Sequence, residues 1–454
     1  MTGSRPPIDH IVVLMMENHC FDRMLGCMRE IHPGLEGVDP AHPHSNPDVP
    51  SGAPIRQQPT HTRNIDRDPR HELDQTQRQI DGGTLQGFVA DFVRTHPHST
   101  PEERQEVMAY YPRGFLPALH TLAENFVICD HWFSSLPGPT WINRLFAHSG
   151  TSLGHIEEPE DLFNPNLHIY DQPTLYTELS RAGVSWRIYH GDVPQTLVLL
   201  QQWEHLGNYR GFGHWQRDVA AGDLPAYTFI EPAYFPPRQN DQHPPHDIMR
   251  GDALIATVYN TLLGNPDLFE RTLLIVLYDE HGGFFDHVVP PPTVPPDDHT
   301  QRYGFDQLGL RVPAVLVSPL LDPGFTRTVF DHTSLLRMAS EHWPGVRPLG
   351  RRAAQANSPL GAVRWRESVR QDLPRAPVAP DIQRARYSAG VRGFSRSLYR
   401  FTEEIEQRTL DGLFRRIVLT PLRRWLHTSH GQGHLATRRV DRFIANGSGG
   451  PGQT

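Results

Sequence analysis

A chain of 454 residues is long enough to bury a large core, and a net charge of −8 excludes a whole-molecule nucleic-acid binder by charge. No apolar run approaches the roughly 18 residues needed to cross a bilayer. Every basic residue is arginine, so Schiff-base chemistry and a lysine-based phosphate loop are excluded. Charge is unevenly spread: residues 351–454 hold 19 Arg against eight Asp and Glu, while the preceding 350 residues are strongly acidic. Cys20, Cys27 and Cys129 form no disulfide framework. The segment Met1 to Pro7 leads into a strand and carries no signal-peptide apolar core, so a cytoplasmic protein is expected.

In chain order, Ile8 to Met16 reads as a buried strand that ends in Glu17-Asn18. From Gly34 to Arg70 the chain is rich in Pro, His, Asn and Asp, a long irregular excursion of the kind often used as a lid. Phe115 to Asn125 predicts a helix, and Phe126 to Cys129 a strand ending at Asp130-His131. Leu136-Pro-Gly-Pro-Thr140 is a rigid turn that opens a helix over Trp141 to Ser149. A helix over Leu175 to Ala182 precedes a strand over Val184 to Tyr189, and Ala226 to Ile230 is a strand ending at Glu231. Asp247 is placed to N-cap a helix that Gly264 stops. Leu273 to Tyr278 is an apolar, β-rich run that ends abruptly in Asp279-Glu280-His281-Gly282-Gly283. Val312 to Ser318 predicts another strand and Thr333 to His342 another helix. Strands alternating with helices predict a mainly parallel, doubly wound sheet. The composition changes near residue 350, which divides the chain into a catalytic region, 1–350, and an Arg-rich, mainly helical extension, 351–454.

In such sheets ligands bind outside the carboxyl ends of the strands. Two of those ends, Glu17-Asn18 and Asp279-Glu280, each offer an acid followed by a second oxygen-bearing side chain. Adjacent acids repel unless a proton or a cation lies between them. An all-oxygen set suits one hard divalent cation, Mg²⁺, Ca²⁺ or Mn²⁺, better than structural zinc. Paired glycines, Gly282 and Gly283, let the backbone turn tightly and approach a bound group closely. Thr140 is the candidate nucleophile, because a helix starting there aims free N–H groups at its hydroxyl; the competing reading makes it a helix cap. His71 and His246, each beside rigid prolines, are candidates to hold phosphoryl oxygens or to protonate a leaving group.

The blocks Ile11-Val-Val-Leu-Met-Met-Glu17-Asn18-His-Cys-Phe21-Asp22, Leu136-Pro-Gly-Pro-Thr140, Asn143-Arg144, Gly150-Thr151-Ser152, Asp241-Gln-His-Pro-Pro-His-Asp247 and Tyr278-Asp-Glu-His-Gly-Gly-Phe-Phe-Asp-His-Val288 resemble the bacterial phosphoesterase family of phospholipases C and a related acid phosphatase. That family belongs to the alkaline-phosphatase-like superfamily, and the resemblance runs from about residue 8 to about residue 343. It implies a three-layer α/β/α sandwich. It implies Glu17, Asn18, Asp279 and Glu280 as metal ligands, and Thr140 as a nucleophile that also touches the metal. It also implies His71 and His246 around the transferred phosphoryl group. Where the phospholipase C members carry β-rich C-terminal domains, an Arg-rich, mainly helical segment is expected here.

The expected activity is metal-dependent hydrolysis of a phosphoester small molecule or phospholipid head group through a phosphothreonine, with no nucleic-acid partner. The alternative is a non-enzymatic membrane-surface or partner-binding protein on a degenerate hydrolase scaffold. A sulfatase reading lacks the Cys or Ser convertible to formylglycine at the nucleophile turn. In the extension, Leu410, Leu413, Phe414, Ile417, Val418, Leu422, Trp425 and Leu426 recur at helical spacing between arginines. That stripe predicts either packing on the catalytic region or contact with an anionic membrane surface.

Overall fold

The computed structural model describes residues 7–157, 170–380, 399, 402 and 429–448. Its centre is the pair β1 (His10–Met16) and β8 (Thr272–Tyr278), parallel and in register from His10 opposite Thr272 to Met16 opposite Tyr278. Both are apolar almost throughout because a central parallel strand is covered on both faces. Around them lie β4 (Val127–Cys129), β5 (Trp186–His190), β6 (Tyr209–Gly211), β7 (Tyr227–Glu231), β9 (Ala314–Val317) and β10 (Gly324–Thr326), in the order β10-β4-β9-β8-β1-β7-β5-β6. Two short strands, β2 (Ser45–Pro47) and β3 (Pro54–Arg56), form a separate antiparallel pair within the Pro- and His-rich excursion.

β9 runs antiparallel to both β4 and β8, and the other pairings of the large sheet are parallel. The chain between β8 and β9 contains no described helix or strand, so it has no crossover to carry it back. It leaves and re-enters the sheet at the same edge, which requires an antiparallel neighbour.

Helices cover both faces. Trp186 and Tyr227 meet Tyr176 of the helix Leu175–Arg181, with ring centroids 4.8 and 6.2 Å apart. Tyr189, three residues beyond Trp186 on the same strand and so on the opposite face, meets Trp215 of the helix Trp215–Ala220 at 5.3 Å. The result is the expected three-layer α/β/α sandwich. β1, β4, β5, β7 and β8 run the same way, so Glu17-Asn18, Asp130, His190 to Asp192, Glu231 and Asp279-Glu280 gather along one edge.

Residues beyond 350 share the main apolar core: Ala353, Leu360 and Ala376, and Ala436, Val440 and Phe443 of the helix Ser429–Ser448. That helix packs on the 3₁₀ segment Leu200–Asn208, where the rings of Phe443 and Trp203 lie 4.9 Å apart. The apolar stripe Leu410, Leu413, Phe414, Ile417, Val418, Leu422, Trp425 and Leu426 lies outside the described residues. Among the described residues no helix is long and apolar enough to cross a membrane.

Candidate active site

The two acid-bearing strand ends meet. Beyond β1 the chain turns at Asn18, which adopts a left-handed conformation (φ 58°) that Asn tolerates better than most residues. The turn aims the Asn18 N–H at Asp279 Oδ1, 3.1 Å away, and the Glu280 N–H donates to the same oxygen at 2.7 Å. Asp279 Oδ2 accepts from Arg144 Nε at 2.9 Å, and the same guanidinium lies 3.2 Å from Glu17 Oε1. All of these side chains are buried. One arginine therefore ties together the carboxylates of two strands that are neighbours in the sheet but more than 260 residues apart in sequence.

Thr140 is the first residue of the helix Thr140–Ser149, with Pro139 in the capping position, so it is not the cap. Its hydroxyl donates to Asn18 Oδ1 at 3.3 Å. Asn18 Nδ2 lies 3.1 Å from His71 Nε2, and His71 lies 3.7 Å from Glu280 Oε1. Thr140, Asn18, His71 and Glu280 thus form one continuous polar chain. The helix also presents Arg144 one turn below Thr140, on the same face.

The paired glycines make the tight turn their sequence suggests, and both have positive φ. A Cβ on Gly282 (φ 67°) would lie 2.0 Å from the Asn18 carbonyl oxygen, and one on Gly283 (φ 73°) 2.7 Å from the Arg70 carbonyl oxygen. They bring the backbone of the two segments carrying Asn18 and His71 against the Asp279-Glu280 turn.

The accounting of carboxylate oxygens is uneven. Glu280 Oε2 accepts the Gly282 N–H at 2.7 Å, but Glu280 Oε1 and Glu17 Oε2 are buried without a hydrogen-bond partner. Burial, with Asp279 adding to it, pushes the Glu280 carboxyl up to about 8. Burial likewise raises Glu17 well above the carboxylate range, despite Arg144 pulling the other way. For His71 burial opposes the charged form, but Glu280, Asp68 and Glu72 outweigh it and hold its pKa up at about 10. Glu17 and Glu280, buried acids that each keep one oxygen without a hydrogen-bond partner, suit added positive charge of the kind a hard divalent cation would supply.

His246 joins this cluster at one remove. Its Nδ1 pairs with Asp241 Oδ1 at 2.5 Å, and its ring centroid lies 6.4 Å from that of His243. His243, which the sequence reading passed over, lies nearer: its ring centroid is 5.7 Å from that of His71. Asp68, His71 and His243 present ligand-type atoms all within 4.8 Å of one another. The excursion that carries Asp68 and His71 is fastened to the start of the helix Ile248–Leu263 by Arg63, which reaches both oxygens of Asp247 at 3.1 and 2.9 Å.

Two other strand-end acids have their oxygens filled by protein donors. Glu231 accepts from Gln195, Thr196 and Tyr234, and Asp192 from the N–H groups of Val193, Tyr234 and Phe235.

Comparison with known proteins identifies the family. A family model described as Phosphoesterase family matches residues 8–344. Non-specific phospholipase C3 of Arabidopsis thaliana is 32% identical over 419 residues, covering 85% of this chain and 78% of that protein. Phospholipase C B of Mycobacterium tuberculosis is 30% identical over 394 residues, covering 74% of this chain and 73% of that protein. The relatives therefore extend beyond the bacterial proteins that the motifs suggest. A solved protein of the alkaline phosphatase superfamily from Vibrio parahaemolyticus aligns with 79% of this chain and 71% of its own at 11% identity, with a TM-score of 0.34, too distant a likeness to add to the fold described above.

Proposed function

Starting from the premise that this chain belongs to the Phosphoesterase family and is a hydrolase of phosphoric esters, we propose that it acts in the manner of a phospholipase C, with Thr140 as its nucleophile. Glu17, Asn18, Asp279, Glu280 and Thr140 would hold one divalent cation, Mg²⁺, Ca²⁺ or Mn²⁺. Bound there, the cation would supply positive charge to a phosphoryl oxygen and favour ionisation of the threonine hydroxyl. Thr140 Oγ1 attacks phosphorus in line with the leaving alcohol. One P–O bond forms, the ester P–O bond breaks, and the alcohol departs with a proton, leaving a phosphothreonine that water hydrolyses. His71 and His246 hold the phosphoryl oxygens or protonate the leaving group, and Asp241 orients the ring of His246. The substrate class is a phosphoester small molecule or a phospholipid head group.

The observation that carries this reading is the buried Thr140 hydroxyl, hydrogen-bonded to Asn18 at a helix start, while Glu17 and Glu280 each keep one oxygen without a partner. Residues 1–350 would form the catalytic region and 351–454 an extension built onto it, whose apolar stripe would either pack on that region or contact an anionic membrane surface. Three free, buried cysteines support a cytoplasmic location. The test is hydrolysis of p-nitrophenyl phosphate, p-nitrophenylphosphorylcholine and bis-p-nitrophenyl phosphate, with and without chelator. Thr140→Val should lose activity more than about a thousandfold while Thr140→Ser keeps a measurable fraction. Near-normal turnover in the Val variant would replace the covalent route by direct attack of water.

A further inference from the structure

The acids at this site are held in different ways. Asp279 and Glu280 accept backbone N–H groups from their own turn and from Asn18. The Glu17 carboxylate receives only side chains from other elements: Arg144 at 3.2 Å and Gln195 Nε2 at 2.8 Å, both on Oε1. Oε2 is left without a partner. Gln195 opens the short 3₁₀ turn Gln195–Val198, which follows β5. The end of the neighbouring strand β7 fastens that turn. Glu231 Oε2 accepts the Gln195 N–H at 2.7 Å and the Tyr234 hydroxyl at 3.1 Å. Glu231 Oε1 accepts the Thr196 hydroxyl at 2.9 Å and the Thr196 N–H at 3.3 Å. β1, β7 and β5 are consecutive in the sheet. Glu17, Gln195 and Glu231 therefore form one hydrogen-bonded chain along one edge, with Gln195 as its middle link.

We infer that Gln195 is a positioning residue: clamped by Glu231, it fixes Glu17 Oε1 and so turns Oε2 toward the cation. The inference rests on the metal reading above. A glutamate has three side-chain torsions to order when it binds an ion, and a neutral amide that holds one oxygen removes part of that cost without competing for the ion's charge. Arg144 cannot do this alone, because it is shared with Asp279.

The test uses the full chain and isothermal titration with Mn²⁺, Mg²⁺ and Ca²⁺, carrying forward the ion that wild type binds most tightly. Gln195→Met keeps the length of the side chain and removes its donor; it should weaken that ion about tenfold or more. Saturating ion should then restore kcat, which damage to the fold would not permit. Glu231→Gln should weaken the ion less, and the double variant should match Gln195→Met within about twofold, because both changes cut the same link. Circular dichroism checks each variant, and Gln195→Asn, whose amide falls short of Glu17, replaces Gln195→Met if that variant does not fold. An unchanged affinity in a folded Gln195 variant overturns the inference while leaving the metal reading intact. Additive losses in the double variant overturn the clamp by Glu231. A wild-type chain that binds none of the three ions overturns the metal reading itself and this inference with it.

Discussion

Two buried acid clusters stand a few residues apart in both of the segments that build them. Glu17 and Glu280 belong to the first, Asp22 and Asp286 to the second. In the second, Arg311 Nε reaches Asp286 Oδ1 at 2.8 Å and Arg311 Nη2 reaches Asp22 Oδ1 at 2.9 Å. Gln57 and His287 fill the other Asp22 oxygen, and the Asp22 N–H donates to Asp286 Oδ2 at 3.1 Å. Every carboxylate oxygen there has a partner. In the first cluster neither Glu17 Oε2 nor Glu280 Oε1 has a hydrogen-bond partner, and Glu280 Oε1 only faces His71 at 3.7 Å. Asp22, Asp286 and His287 have metal-ligand spacing, yet a guanidinium already supplies the positive charge within that set. Acid composition does not separate the closed cluster from the open one; the oxygens left over do.

The largest effect that would sharpen this contrast comes from Arg311→Met. Removing the cation from a closed, buried network should cost about 3–5 kcal/mol of stability, read by urea unfolding, and leave the affinity of the first cluster for its divalent ion unchanged. A loss below about 1 kcal/mol, in the range of an exposed ion pair, would break the claim that the second cluster is closed. The open cluster should respond to the ion instead. Free cation at about 100 times its Kd should stabilise the folded chain by about 2.7 kcal/mol, and chelator should remove that gain. An equal ion-dependent gain in Glu280→Gln would place the ion somewhere other than at these acids.

Much of this was legible in the sequence. The strand run Leu273 to Tyr278, its abrupt end in two acids and the polar end of β1 marked the edge and most of the acids that line it. The helix start at Thr140 was legible from Pro-Gly-Pro. What was not legible depends on which partner each oxygen finds. Nothing local to Glu231 says that it is consumed by Gln195 and Thr196, or that Gln195 reaches Glu17. Arg144 was readable in part, since it lies four residues after Thr140 and so shares its helix face. The tight turn at the paired glycines was legible, and both have positive φ; that they also admit the backbone at Asn18 and Arg70 was not. Gly282→Ala therefore tests the site's assembly. A Cβ there meets backbone, which cannot swing aside, and φ is positive; the expected cost is about 1–3 kcal/mol. Ion affinity should fall with stability, because Asn18 and Glu280 are displaced together. Lost stability with unchanged affinity would show that the open cluster does not depend on this contact.

Asp252 supplies the smallest test, because it is a third way to bury an acid: neither a cation nor spare oxygens, only backbone dipoles. It lies on the helix Ile248–Leu263 and its two oxygens accept the N–H groups of Ala118 and Leu119, each at 2.9 Å, at the start of the helix Pro117–Asn125. Burial pushes its carboxyl up to about 7, against the pull of those two N–H groups. The unfolded chain releases the same proton near the ordinary value of about 3.9. Between those two values the folded state holds more protons than the unfolded one, so the stability contributed by this group falls as pH rises. Asp252→Asn removes the titration. The stability of wild type relative to the variant should therefore fall by roughly 1 kcal/mol per pH unit between about pH 5 and 6.5, and level off above about 7.5. A relative stability that instead rises with pH across that window would mean that the helix start holds the charged carboxylate against burial. Asp252 would then belong with the clusters that are stabilised by charge.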